Sequence, residues 1–239
     1  MIKYFGAGLL AMTVRYAAAQ PLNTVTPEEK ASGWELLFDG SSTAGWHVYN
    51  NKTSGSAWKV KEGILYLDLA DAGRGDLITD KEYENFELQL EWKLEPCGNS
   101  GVIFNAVESP TYKAGWNTGP EMQILDNNCH PDAKIIKHRA GNLYDLLASP
   151  DESVLPANSW NWVVISSDRG HLQMWLNDVK QVETMMFTPE WEELIRGSKF
   201  KAHPDFGKAR KGHLLLQDHG NPVYFRNIKI RELKQAVER

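Results

Sequence analysis

The chain has 239 residues, with 26 Lys and Arg against 31 Asp and Glu, a formal net charge of −5. An acidic chain with no long Lys/Arg run has little to offer a phosphate backbone, which argues against nucleic acid as a partner. The length suits one large domain, since all-β domains of this size are routinely single.

Met1-Ile-Lys3 starts the chain with a basic residue, Tyr4 to Val14 is an eleven-residue stretch without charge, and Ala17-Ala18-Ala19-Gln20 follows. This order reads as a secretory signal over residues 1–20, so the mature protein is expected in the periplasm or outside the cell. Arg15, within the cleavage region, is unusual for such a signal. The apolar run falls short of the roughly 20 residues that cross a bilayer, and no membrane span is expected. Removing Lys3 and Arg15 leaves 24 basic residues against 31 acidic ones, a mature charge of −7.

Residues 21–32 form a polar lead-in, and one domain is expected over 33–235. Trp34-Glu-Leu-Leu-Phe38 reads as a strand closed by Asp39-Gly40. Trp58–Val60 and Ile64–Leu69 read as a hairpin turning at Lys61-Glu62-Gly63. Asp76–Thr79 is a short strand. Phe86–Leu94 alternates apolar and polar side chains over nine residues, the pattern of a strand with one buried face. Ser100–Phe104 and Glu121–Leu125 follow, with a Gly, Pro and Asn-rich loop between them. Trp160–Ser166 and His171–Leu176 form another hairpin through Asp168-Arg-Gly170, and Gly212–Gln217 and Val223–Ile230 close the chain. Only 189–197 reads as helix, opened by Pro189 and closed by Gly197. About a dozen short strands between Gly, Asn and Asp turns indicate an all-β sandwich or barrel.

Cys97 and Cys129 lie just outside two strands expected to pair antiparallel, at the same end of the pair. In an oxidising compartment a disulfide can form there. The sequence leaves both the disulfide and two free thiols open.

The strand Glu121-Met-Gln-Ile-Leu125 carries the most chemistry. Alternate residues share a face, so Glu121 and Gln123 point one way and Met122 and Ile124 enter the core. By itself this is also the pattern of an ordinary wet strand. His130, Asp132, His138 and Tyr144 follow in a loop, where binding groups tend to collect. Gln217-Asp218-His219-Gly220 ends a late strand, although Gly220-Asn-Pro222 explains the turn without function. Gly101 inside a strand suggests close approach by a backbone or a ligand. No nucleophile elbow, HExxH, Walker loop, dinucleotide fingerprint or CxxC is present. Glu121, Asp126, His130 and His138 could ligate a divalent metal, but their spacing specifies none.

These segments together resemble the 3-keto-disaccharide hydrolase family over about Gly33 to Leu233. The resemblance rests on Gly33-Trp-Glu-Leu-Leu-Phe-Asp-Gly40, Gly45-Trp46, Asn99-Ser-Gly-Val102 and Thr118-Gly-Pro-Glu-Met-Gln-Ile-Leu-Asp126. It continues in Ala140-Gly-Asn-Leu-Tyr-Asp145, Trp160-Asn161, Trp175-Leu-Asn177, Gly212-His-Leu-Leu-Leu-Gln-Asp-His-Gly220 and Phe225-Arg-Asn-Ile228. It implies a concanavalin A-like jelly roll of two curved antiparallel sheets, with a carbohydrate groove on one of them. It also implies activity on glycosides oxidised at C3, with a base for the C2 proton, an acid for the leaving oxygen and groups to hold an oxyanion. The expected catalytic set is Glu121, His138 and His130, with Glu121 or a nearby His as the base. Expected substrate contacts are Gln123, Asn99, Asn105, Trp116, Tyr144, Gln217 and His219. Family members often carry Arg or His where this chain has Asn105. Asp126 and His130 are the candidates for a divalent metal, and no other cofactor is expected. The alternative function is a non-catalytic, lectin-like module of the same fold.

Overall fold

The nine-residue alternation at Phe86–Leu94 (β6) sets the frame of the molecule, seen in a computed structural model that describes residues 21–51 and 56–233. Phe86, Leu88, Leu90, Trp92 and Leu94 are buried, and Glu87, Gln89, Glu91 and Lys93 face outward. The expected signal over 1–20 and the expected domain end at 235 lie outside the described residues.

Among the described residues the other strands are β1 (Trp34–Leu36), β2 (Trp46–Val48), β3 (Trp58–Lys61), β4 (Ile64–Leu67), β5 (Leu77–Tyr83), β7 (Asn99–Ala106) and β8 (Glu121–Leu125). They continue with β9 (Asn161–Asp168), β10 (His171–Leu176), β11 (Val179–Met185), β12 (Gly212–Leu216) and β13 (Val223–Glu232). One sheet runs β11-β10-β9-β6-β13-β4-β3, with β1 also pairing β13, and the other runs β2-β5-β12-β7-β8. Every pairing is antiparallel. This is the concanavalin A-like jelly-roll sandwich expected from the sequence. Its core lies between the sheets and includes Phe86, Leu88, Leu90 and Trp92 from one, and Val102, Phe104, Met122, Ile124 and Leu216 from the other.

β2 and β11 were not anticipated, and most expected strands are longer or shorter by a few residues. β13 pairs β6 along one edge, while its other edge serves β4 and then β1. The change falls at an irregularity between Arg226 and Lys229, where Asn227 adopts φ 54°. Asn227 also locks the lead-in. Asn23 N donates to Asn227 Oδ1 at 2.7 Å, and Asn227 N donates back to Asn23 Oδ1 at 2.8 Å. Beyond it, α1 (Pro27–Ala31) has a capping box between Thr26 and Glu29, and Glu29 pairs with Lys229. Residues 21–32 are therefore docked on the sandwich rather than a bare leader. α2 (Pro189–Arg196) matches the expected helix, with Thr188 as its N-cap and Gly197 as its C-cap.

β7, β8 and β12 show no wet face, because every one of their residues is buried. One side packs in the core. Segments around Trp116, Tyr144 and Phe200 pack against the outer side, and they roof part of the five-stranded sheet. Cys97 and Cys129, flanking β7 and β8 at one end, form a disulfide with Cα atoms 4.7 Å apart.

Candidate active site

The outer face of the five-stranded sheet holds a cleft of about 370 Å³, lined by Asn99, Trp116, Glu121, Gln123, Tyr144, Lys199, Phe200, His203, Gln217 and His219. Its floor follows from strand register. Ile103 stands opposite Glu121 and Gly101 opposite Gln123, while β12 sets Leu215 beside Ile103. The Gln217 amide then donates to the Gly101 carbonyl at 3.0 Å, which brings Gln217 alongside that glycine. A Cβ on Gly101 would overlap the Glu121 carboxylate. The close approach that Gly101 signals is thus made by the Glu121 side chain, neither by a backbone nor by a ligand.

Glu121 is 5% exposed, and among the described residues no group donates a hydrogen bond to its side chain. Burial pushes its carboxyl up to about 8; Lys199 partly offsets this, and the charges of Asp76 and Asp132 add to it. Gln123 beside it reaches Asn99 Oδ1 through Nε2 at 3.4 Å, yet its own Oε1 is buried without a partner. An orphan carbonyl of this kind costs about 1–3 kcal/mol and is satisfied when a ligand hydroxyl or N–H enters. Asn99 Nδ2 lies 3.4 Å from His219 Nε2. Burial, and then the neighbouring His130, hold the His219 imidazole below its ordinary value, so it is neutral at pH 7. Asp76 stands one step beyond the Leu216–Leu77 pair, opposite Gln217. Burial pushes Asp76 up to about 6, against the hydrogen bond its Oδ1 accepts from Asp218 N at 2.9 Å.

The walls are aromatic. Trp116 meets His203 edge-on at 5.1 Å between ring centroids, and Tyr144 meets Phe200 at 6.4 Å. Lys199 Nζ lies 4.0 Å from the Tyr144 ring centre.

Seven expected residues converge on the cleft: Asn99, Trp116, Glu121, Gln123, Tyr144, Gln217 and His219. Four do not. His138 lies behind the wall, stacked on Tyr144 at 4.2 Å, with Nδ1 2.9 Å from Asp132 Oδ1 and Nε2 2.8 Å from Asp145 Oδ1. Both its nitrogens are taken, so it holds partners rather than meeting substrate. Asp132 accepts the Tyr144 hydroxyl at 3.0 Å and Asp145 accepts the Lys199 amide at 2.6 Å. His138 therefore ties two lining residues together from behind. His130 is near His219, with ring centroids 6.3 Å apart, but Nδ1 accepts the Asp132 amide at 3.2 Å and the ring is not part of the lining. Asp126 accepts the amides of Cys97 at 2.8 Å and Asn128 at 3.1 Å, which caps the loop at the disulfide. Asn105 turns away at φ 53° and donates to the Ala209 carbonyl at 3.0 Å.

No three His, Cys, Asp or Glu side chains gather to hold a metal ion among the described residues. Asp126, a metal candidate with His130, accepts loop amides with both of its carboxylate oxygens.

Lys199, Phe200 and His203 were missed. They come from the short 3₁₀ turn Lys199–Ala202 and its cap, far from β8 in sequence. A window count of charge was the available signal, because residues 196–211 hold six Lys and Arg and one acid.

Residues 33–231 match the model of a family described as a 3-keto-alpha-glucoside-1,2-lyase-like domain. A curated relative from Bacteroides thetaiotaomicron, named 3-keto-disaccharide hydrolase, is 31% identical over 230 residues, covering 85% of this chain and 79% of the relative. A crystal structure from Parabacteroides distasonis ATCC 8503, provisionally described as a glycosyl hydrolase, is 32% identical with a TM-score of 0.82, covering 90% of this chain and all of that one. A second such structure from the same organism is 26% identical with a TM-score of 0.64, covering 84% of this chain and 99% of the other.

Proposed function

The chain belongs to the 3-keto-alpha-glucoside-1,2-lyase-like domain family, and from that premise we propose that it cleaves glycosides and disaccharides oxidised at C3. A C3 carbonyl acidifies the C2 proton, and its removal leaves an enolate. As the enolate collapses back to the ketone, a C1–C2 double bond forms, the C1–O bond breaks, and the leaving oxygen takes a proton. Water added across that double bond makes the net reaction a hydrolysis. One proton acceptor, one donor and polar groups for the enolate oxygen suffice.

The observation that carries this reading is the single carboxyl of the cleft. Among the described residues Glu121 is the only Asp or Glu in the lining, whereas a retaining glycosidase needs two carboxylates about 5–5.5 Å apart. At neutral pH Glu121 is protonated and His219 is a neutral imidazole, a carboxyl pushed up beside a histidine pushed down. Such a divergence marks an acid and a base. Glu121 is then the proton donor and His219 the acceptor, the histidine branch of the sequence expectation. Gln123 and Gln217 bind sugar or enolate oxygens, and Trp116 and Tyr144 flank the ring.

The expected localisation belongs to the same proposal. The Cys97–Cys129 disulfide supports work in an oxidising compartment, as does the leader expected over residues 1–20.

The test is incubation of the purified mature chain with 3-keto-α- and 3-keto-β-disaccharides, read by mass spectrometry. Consumption with release of the leaving sugar is expected, and binding without consumption would leave the lectin-like reading standing. The pH profile of kcat/KM assigns the roles: a falling limb near 8 is expected if Glu121 donates. A rising limb there makes Glu121 the base and leaves the substrate class intact.

A further inference from the structure

A second depression of about 450 Å³ adjoins the cleft and shares His203 with it. Phe187, Trp191, Ile195 and Phe206 supply its apolar surface. Trp191 Nε1 donates to the Gly207 carbonyl at 2.9 Å, and a side chain at Gly207 would run into the Trp191 ring and Ile195. That glycine, at φ 67°, keeps the depression open.

Its charge is opposite to that of the chain. Residues 196–211 carry six Lys and Arg against Asp205 alone, in a protein of net charge −5. Asp205 accepts the Tyr112 hydroxyl at 2.9 Å, Arg196 pairs with Glu193 at 2.6 Å, and Lys211 lies 3.8 Å from Glu82. Lys199, Lys201, Lys208 and Arg210 have no carboxylate within ion-pair distance among the described residues. Instead Lys199 lies against Tyr144, and the Arg210 guanidinium sits 4.4 Å over the Phe187 ring. Among the described residues Glu192 is the only acid in the depression. Lys199 lines the cleft, and Lys201, Lys208 and Arg210 line the depression, so a strip of unpaired cations leads from one to the other past His203.

We propose that this depression is a subsite for an anionic sugar, a carboxylate- or sulfate-bearing unit of the glycan whose reacting residue occupies the cleft at Glu121. The apolar floor takes the face of the sugar ring, and Lys201, Lys208 and Arg210 take the anion. This rests on the 3-keto-glycoside reading, and it adds which glycans the site selects. Cations that are already paired would select nothing; these are held in an acidic surface without partners, where an anion on the ligand supplies the missing charge.

The experiment is calorimetric binding to the mature wild-type chain of cellobiose, cellobiouronic acid and a cellobiose monosulfate, unoxidised probes that the proposed reaction does not consume. The two anionic probes separate carboxylate from sulfate. At least one is expected to bind about tenfold tighter than cellobiose at low salt, a preference that shrinks at high salt. Lys201→Glu/Lys208→Glu is expected to abolish the preference, with the cellobiose arm reporting on the cleft. Equal affinity for all three sugars in the wild type, or a preference that survives the double change, overturns the subsite. So does equal binding of a short DNA duplex, which would mark an unselective basic surface. Turnover of a neutral 3-keto-disaccharide is measured in parallel: turnover without anion preference defeats only the subsite, and no turnover defeats the reading beneath it.

Discussion

The two outward sheet faces of this molecule treat the same side chain in opposite ways. On the eight-stranded sheet, Glu87 is bound by Arg231 at 2.7 Å, Glu91 by Arg226 at 2.8 Å and Asn227 at 2.7 Å, and Glu95, just past the strand end, by the Tyr224 hydroxyl at 2.7 Å. On the five-stranded sheet, Glu121 is more deeply buried and has no donor among the described residues, and the Gln123 carbonyl beside it is orphaned. A fold selected only for stability fills such vacancies, since a buried unsatisfied polar group costs free energy. The partnered carboxylates stand on the eight-stranded face, and the unpartnered one lines the cleft.

The largest expected break of this contrast is Glu121→Gln. Turnover of a 3-keto-disaccharide should fall about 10²–10³-fold, equivalent to about 3–4 kcal/mol on the barrier, with the fold retained. Glu91→Gln is the matched change on the other sheet. It should leave turnover within about twofold and lower stability by about 1 kcal/mol in urea titrations. Turnover equally sensitive at both positions would erase the distinction between the two faces.

His138→Gln comes next, at about 2–3 kcal/mol of stability, because Asp132 or Asp145 loses its buried partner. The role assigned to it also predicts a KM rise larger than the kcat fall, since Tyr144 and Lys199 lose their common anchor. A kcat collapse with KM unchanged would return His138 to the chemistry. Gly101→Ala should cost about 1–3 kcal/mol and most of the activity, because the new methyl displaces the Glu121 carboxylate from its place over β7. Full activity would show that the carboxylate can work from another position.

The shallowest effect, spread over several pH units, is the pH dependence of stability. Glu121 in the folded chain titrates near 8 against 4.5 for the ordinary carboxyl, so the folded state holds the proton more tightly. Its contribution is fully present below 4.5 and is lost as pH rises through about 8, with a slope of at most about 1.4 kcal/mol per pH unit. Glu121→Gln should flatten the wild-type decline over that window and make the variant relatively more stable at alkaline pH. Parallel pH curves for the two proteins would refute the burial of Glu121 as its titrating cause.

Strand residues carried their own evidence. The alternation at Phe86–Leu94, the turn chemistry at Asp168-Arg-Gly170, and Pro189 and Gly197 around one helix are local signals, and each names its element without reference to distant chain. The same locality made Glu121 and Gln123 legible as a pair, because a period of two sets them on one face whatever the fold. β2 escaped because three residues are too few to establish a period, and β11 because its burial does not alternate. The burial of the outer face of β8 was hidden for another reason: the segments at Trp116 and Tyr144 and, more than 70 residues downstream, at Phe200 cover it, and cover by separate segments leaves no periodic trace.

By itself the sequence determined the all-β class, the shared face of Glu121 and Gln123, and the order of the motifs. Tertiary structure decided which of three histidines lines the cleft. His130, His138 and His219 look alike as residues beside strand ends. Only the fold places two acids against His138, a loop amide against His130, and Asn99 with an open cleft beside His219. It also decided that the carboxyl of Glu121 would be neutral at rest, since the burial and charges that set its titration come from Asp76 just before β5, Asp132 and Lys199, which the chain brings together only on folding.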